Sequence, residues 1–146
     1  MRSPVSVPSH PLDAATETGG TPLGDLPDWD LTDLYAAPDA PELARDFEWL
    51  EKECAAFAKD YEGKLAGLSA ADLLTCIERH EKIDMIAGRV MSFAGLRYYQ
   101  QTTNPERAKF MSDMQDKITT MTTPLVFFSL EFNRIADDRY DALMAQ

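Results

Sequence analysis

Between Met111 and Ile135 the apolar side chains fall at steps of 3, 4, 3, 4, 3, 4 and 3, through Met111, Met114, Ile118, Met121, Leu125, Phe128, Phe132 and Ile135. Residues three and four apart share one face of an α-helix, whereas a strand changes face at every residue. The run therefore predicts an amphipathic helix with one narrow apolar seam. Such a seam is stable in water only when other helices cover it, so the rest of the chain has to supply them. Asn104-Pro105 predicts the start of this helix, with asparagine as cap and proline at the first helical position. From Pro105 to Ile135 is 31 residues, or ~46 Å of helix. Pro124 lies inside the run and predicts a kink, because its missing N–H removes one backbone bond. Thr119, Thr120, Thr122 and Thr123 precede it with hydroxyls that can satisfy freed carbonyls.

Two further helices are predicted upstream. One starts near Pro41, carries its seam on Leu43, Phe47, Leu50, Cys54, Phe57 and Tyr61, and stops at Gly63. The other starts at Ser69, where Ser69-Ala70-Ala71-Asp72 resembles a capping box with Asp in place of Glu. Its stripe runs through Leu73, Ile77, His80, Asp84, Ala87, Met91, Ala94 and Tyr98, widened by Leu74, Ile83, Ile86, Val90, Phe93 and Leu96, and persists to about Gln101. Gly88 and Gly95 sit seven apart on this helix. A mid-helix glycine costs ~1 kcal/mol against alanine, so the pair predicts a close approach of another helix backbone. The two long helices, joined by a short turn, predict an antiparallel αα-hairpin. Asp137 or Asp138 is expected to cap a fourth helix, begun by Tyr140, Leu143 and Met144. Met85, Leu96, Phe110, Phe127 and Leu130 fall off the main seams and are expected to want a further partner. The fold class expected is all-α, and residues 29–146 read as a helical domain incomplete at its C-terminal end, the first part of something larger.

The first 28 residues differ. They hold five of the nine prolines and three of the seven glycines, and no aromatic precedes Trp29. Such a segment buries too little apolar surface to offset its ordering entropy, and 1–28 read as a flexible tail. It lacks the apolar core of a secretory signal and the arginines of a mitochondrial presequence. With Trp29, Leu31, Leu34 and Tyr35 as anchors, the next stretch predicts an extended or single-turn segment docked on a larger body. Lys plus Arg is 14 against 25 Asp plus Glu, a net charge of -11, which makes nucleic acid an unfavourable partner. No apolar run is long enough for a membrane span. Cys54 and Cys76 form neither a disulfide framework nor a zinc knuckle and fit a reducing, cytoplasmic setting.

The residues that could carry chemistry are few. His80-Glu81-Lys82-Ile83-Asp84 imitates a zincin His-Glu-x-x-His with Asp84 in place of the second His. No third ligand follows, and the other histidine is His10 in the tail; a polar helix stripe is the stronger reading. Cys76 and His80 stand one turn apart, as a nucleophile and base could, with no orienting carboxylate or oxyanion loop in sight. Cys54 reads as a small core residue. Glu42, Asp46, Glu48, Glu51, Glu53, Asp60 and Glu62 crowd the first helix and read as a solvated face. Met111, Met114 and Met121 read as core before they read as an adaptable binding groove. Arg97-Tyr98-Tyr99-Gln100-Gln101 reads as a hairpin tip before a ligand cleft. No catalytic, cofactor-binding or metal-ligating residue is assigned in this chain.

Three strings together resemble the start of the oligoendopeptidase F family, zinc metallopeptidases related to thimet oligopeptidase. They are Trp29-Asp30-Leu31-Thr32-Asp33-Leu34-Tyr35, Tyr61-Glu62-Gly63-Lys64-Leu65, and Thr123-Pro124-Leu125-Val126-Phe127-Phe128-Ser129-Leu130-Glu131. The resemblance covers about residues 22–146. It implies the N-terminal helical lobe of a two-lobed peptidase that hydrolyses short peptides, with this lobe helping to wall the substrate channel. It also implies a zinc site, held by a His-Glu-x-x-His helix and a further Glu, in a later catalytic domain of the same polypeptide. None of those ligands has a counterpart here. The alternative is a self-contained helical interaction module that associates through its uncovered apolar faces.

Overall fold

The computed structural model describes residues 28–145. Apart from Asp28, the tail assigned to residues 1–28 lies outside the described residues. The described residues contain five α-helices, two short 3-10 turns and no strand, so the all-α class holds. No helix among them is long and apolar enough to cross a membrane.

Helix α1 spans Pro41–Tyr61, with proline in its first turn, and buries Leu43, Leu50, Cys54 and Phe57. It stops as its glycine predicts. Gly63 has φ 77° and is the one described residue with positive φ, a conformation in which a Cβ would be strained. A 3-10 turn at Leu65–Gly67 then sinks Leu65 into the core. Helix α2 spans Ala70–Gln100 behind the predicted cap. The Asp72 N–H donates to Ser69 Oγ at 3.1 Å, and the Ser69 hydroxyl donates to the Asp72 carboxylate at 2.6 Å. Helix α3 starts at Pro105, where Asn104 Oδ1 accepts from the N–H groups of Glu106 and Arg107.

Contacts between helices run in opposing order. On α1 and α2, Asp46 meets Arg89, Trp49 meets Lys82, Phe57 meets His80 and Asp60 meets Arg79. On α2 and the segments after it, Arg107 bonds the Arg97 carbonyl, Phe93 meets Phe110 and His80 meets Phe128. Two apolar clusters result. One gathers Phe57, Leu50, Leu65, Ile83, Leu125 and Phe127. The other gathers Tyr35, Leu43, Val90, Phe93 and Met114. Ile118 packs against both.

Four expectations need correction. The helix that begins at Pro105 is broken at Pro124, not merely kinked. Helix α3 ends at Thr122, a 3-10 turn covers Thr123–Leu125, and α4 runs Val126–Phe132. The hydroxyls of Thr120, Thr122 and Thr123 donate to the carbonyls of Asp116, Ile118 and Thr119, not to that of Thr120, which the proline deprives of its helical donor. The stripe of α2 holds at Leu73, Ala87 and Ala94 but is centred on its widened side, at Ile83, Val90 and Phe93. Cys76, Ile83 and Val90 are fully buried, whereas Ile77 and Met91 are half-buried and Asp84 is exposed. The glycines do not mark a close helix approach. A Cβ at Gly88 would meet nothing within 4 Å, and one at Gly95 would meet only the side chains of Tyr99 and Met111, at 3.8 and 4.0 Å. Finally, α5 (Asp137–Met144) is preceded by Ala136 as its N-cap, with both aspartates inside the first turn, where their charge suits the helix dipole.

The segment before α1 docks as a single turn, with Leu34 and Tyr35 N–H groups bonded to the Leu31 carbonyl. Tyr35 is buried. Its ring lies edge-on to Phe93 at 5.4 Å and under the Arg89 guanidinium at 4.3 Å, and its hydroxyl donates to Asp46. Arg89 also donates to the Leu34 carbonyl, so one arginine of α2 holds both the segment and α1.

Candidate functional site

The two strings Tyr61–Leu65 and Thr123–Glu131 lie far apart in sequence and meet in space. The Glu131 carboxylate, at the end of α4, accepts from the Gly63 N–H at 2.6 Å and the Leu65 N–H at 3.3 Å. These donors lie just past the end of α1, in the turn that leads to the 3-10 segment, and the carboxylate is their acceptor. Glu131 therefore clamps the α1–α2 connection onto α4. At the same end Arg139 of α5 donates to the Leu68 carbonyl at 2.7 Å. Replacing Glu131 with Gln keeps the shape and removes the charge. It is expected to cost ~1–2 kcal/mol, the difference between charge-assisted and neutral bonds to these N–H groups. Chemical denaturation of the two proteins measures this directly, and a cost under ~0.3 kcal/mol would show that the clamp contributes nothing.

His80 is a packing member of the same region. Its ring stacks on Phe128 at 4.1 Å and 17°, and it lies edge-on to Phe57 at 5.7 Å. Its Nδ1 pairs with Asp84 Oδ2 at 3.1 Å, the histidine 18% and the aspartate 65% exposed. Among the described residues no group of three His, Cys, Asp or Glu is placed to hold a metal ion. The zinc implied by the resemblance therefore finds no ligand set in these residues. Beside the stack lies an open cleft of about 320 Å³ lined by Ile77, His80, Glu81, Asp84, Phe128 and Phe132.

The cysteines are core residues. Burial pushes the Cys76 thiol up to about 11, and burial with the charges of Glu53 and Asp84 does the same for Cys54. The thiolate is the nucleophile, so at neutral pH neither sulfur is activated, and Cys76 with His80 does not make a nucleophile–base pair. Iodoacetamide at pH 8 is expected to label neither thiol in the folded chain and both in denaturant. Labelling of Cys76 at the rate of a free thiol under native conditions would contradict its burial. The same shift fixes a pH dependence. An unfolded thiol ionises near 9 and the folded ones near 11, so the unfolded state sheds protons first and stability falls as pH rises through that window.

The carboxylates of α1 divide. Glu48, Glu51 and Glu62 are exposed, as a solvated face predicts. Glu53 and Asp60 instead hold Arg79, at 2.8 and 3.0 Å, and Asp46 holds Tyr35 and Arg89. Arg79 also lies over the rings of Phe57 and Tyr61, at 5.8 and 5.3 Å. Sequence reasoning missed Arg79, Arg89 and Glu131, because a bonded charge and a solvated one look alike in a sequence. The methionine seam is core: Met114 is buried, and Met111 and Met121 pack against the clusters. At the Arg97–Gln101 tip, Gln100 donates to the Trp29 carbonyl at 2.8 Å and accepts from Arg107 at 3.1 Å, while Tyr99 is exposed. The tip latches the docked segment.

Of the apolar positions expected to lack partners, Phe110 packs on Phe93 and Phe127 is buried near Phe57. Met85 and Leu130 stay 66% and 54% exposed, joined by Leu74 and Val126. Comparison with known proteins adds no relative: no family model, no curated protein and no solved structure matches the chain.

Proposed function

We propose that this chain is the N-terminal helical lobe of an oligoendopeptidase F-like zinc metalloendopeptidase, a cytoplasmic enzyme that hydrolyses short peptides. In this reading the long antiparallel hairpins wall the substrate channel. Zinc and the catalytic groups belong to a catalytic domain of the same polypeptide, and no step of the hydrolysis is assigned to residues present here. The observation that supports it most is the meeting of two family-like strings through Glu131, Gly63 and Leu65. The third string also has a structural use, because its Tyr35 anchors the docked segment.

The exposed side chains of Leu74, Met85, Val126 and Leu130 favour a second reading, a self-contained helical interaction or oligomerisation module without enzyme activity. The intact mass of the native protein, read together with the codons after Gln146, separates the two. Continuation into a His-Glu-x-x-His helix, with a native mass well above 16.3 kDa, supports the peptidase lobe. A stop codon after Gln146 and a native mass of 16.3 kDa overturn it in favour of the module. Either way the purified chain is expected to cleave no peptide with added zinc.

A further inference from the structure

The two sides of α2 carry opposite chemistry. All three cations between Ala70 and Val90 turn to α1 and the docked segment: Arg79 to Glu53 and Asp60, Lys82 over the Trp49 ring at 5.0 Å, and Arg89 to Asp46 and Leu34. A surface groove on that side, lined by Arg45, Asp46, Trp49, Lys82 and Ile86, mixes both signs. The cleft against α4 is different. Its floor is Ile77, Phe128 and Phe132, and its rim is Glu81 and Asp84. Glu78 is exposed one turn away, and α4 has no Lys or Arg. Arg134, just past α4, is exposed and is the local exception. On α2 the apolar face continues past the cleft at both ends. Leu74 stands one turn before Ile77 and two turns before Glu81, Met85 stands one turn after Glu81, and both are more than half exposed.

We propose that the cleft between α2 and α4 docks a basic amphipathic helix. The apolar floor of Ile77, Phe128 and Phe132, with Leu74 and Met85 exposed beyond it on either side of Glu78 and Glu81, offers contacts over about three helical turns to side chains at i, i+3 or i+4 and i+7 of a partner helix. The exposed carboxylates of Glu78 and Glu81, beside an Asp84 that is shared with His80, favour Lys or Arg on the partner's flanks and disfavour a second copy of this acidic chain. This holds whether or not the chain is part of a peptidase.

The probe is a Leu/Lys peptide of about 18 residues with Leu at helical spacing, titrated into the full 146-residue chain. The readout is the methyl resonances of Ile77 and Met85. Both are expected to shift on binding, and a Leu/Glu peptide of the same pattern is expected to cause no shift. The double variant Glu81→Lys with Asp84→Lys is expected to weaken binding about tenfold. Glu81→Lys alone leaves the His80–Asp84 pair in place and is expected to give a smaller loss in the same direction. The control reverses Glu48 and Glu51, exposed on α1, and is expected to change affinity less than about twofold. Equal weakening by the control pair would reduce the interaction to general attraction by an acidic chain and overturn the site. So would binding without shifts at Ile77 and Met85, equal binding of the Leu/Glu peptide, or no binding of the Leu/Lys peptide.

Discussion

Phe57→Ala is expected to destabilise the chain by about 3–5 kcal/mol, a large share of the ~5–15 kcal/mol that holds a domain together. The ring is fully buried. It touches four other rings, Tyr61 at 4.9 Å, His80 at 5.7 Å, Phe128 at 5.8 Å and Phe127 at 6.0 Å, and the Arg79 guanidinium lies over it. Those neighbours come from α1, α2 and α4, so the cavity left by truncation opens where three helices converge. Collapse into it would require rigid helices to move together, which places the cost toward the upper end of the range. Urea denaturation should show a lowered midpoint with an unchanged slope. Leu74→Ala, at an exposed position of α2, is the control and should change stability by less than ~0.5 kcal/mol. A loss below ~1.5 kcal/mol for Phe57→Ala would mean that the aromatic cluster relaxes around the gap and that stability resides in the cluster around Val90 and Phe93.

Phe57 was legible in the sequence because α1 has one apolar seam and ends marked by local chemistry. Pro41, Ser69 with Asp72, Asn104 with Pro105, and Gly63 each act within a few residues, and each boundary they predict is present. Helix α2 was less legible because α1 and α3 both pack against it. Two overlapping apolar stripes then fit its sequence: periodicity finds Leu73, Ala87 and Ala94 and, on the widened side, Ile83, Val90 and Phe93, but it centres the stripe on Ile77, Asp84 and Met91 and leaves out the buried Cys76. Phe127 escaped for a geometric reason. A 3-10 turn advances ~120° per residue against ~100° in an α-helix, so three such residues rotate the next helix by about 60°. After Thr123–Leu125 that rotation brings Phe127 into the core beside the predicted seam. The ties that fix tertiary arrangement were not legible at all. Gly63 and Glu131 are 68 residues apart, and Leu34 and Arg89 are 55 apart. The polar groups in those ties have no period to betray them. For the same reason the acidic cleft between α2 and α4 emerges only when Arg79, Lys82 and Arg89 are seen to turn the other way.

Tyr35 tests whether the docked segment is part of the fold or an appendage to it. Tyr35→Ala is expected to cost about 3–4 kcal/mol, because the ring is 2% exposed and packs on both Phe93 and Arg89. Tyr35→Phe keeps the ring and is expected to cost ~1–1.5 kcal/mol, the net worth of a hydroxyl donated to a carboxylate. Asp46 also pairs with Arg89 at 3.5 Å, and that remaining partner is expected to limit the loss. The two variants also differ from the parent in pH dependence. Burial, then the bond to Asp46, raises the Tyr35 hydroxyl well above its usual value near 10. Below pH 10 the tyrosine is neutral in both states and its contribution is complete. Above pH 10 the unfolded tyrosine ionises while the folded one keeps its proton, so stability is lost as pH rises. Tyr35→Phe has no such proton to release. The stability gap between the parent and Tyr35→Phe should therefore narrow as pH climbs past 10, on top of the decline that both share from the cysteines. A gap that stays constant from pH 8 to about 11 would place the hydroxyl in water in solution, and the segment from Trp29 to Tyr35 would then be held by its apolar contacts, Arg89 and the Gln100 latch.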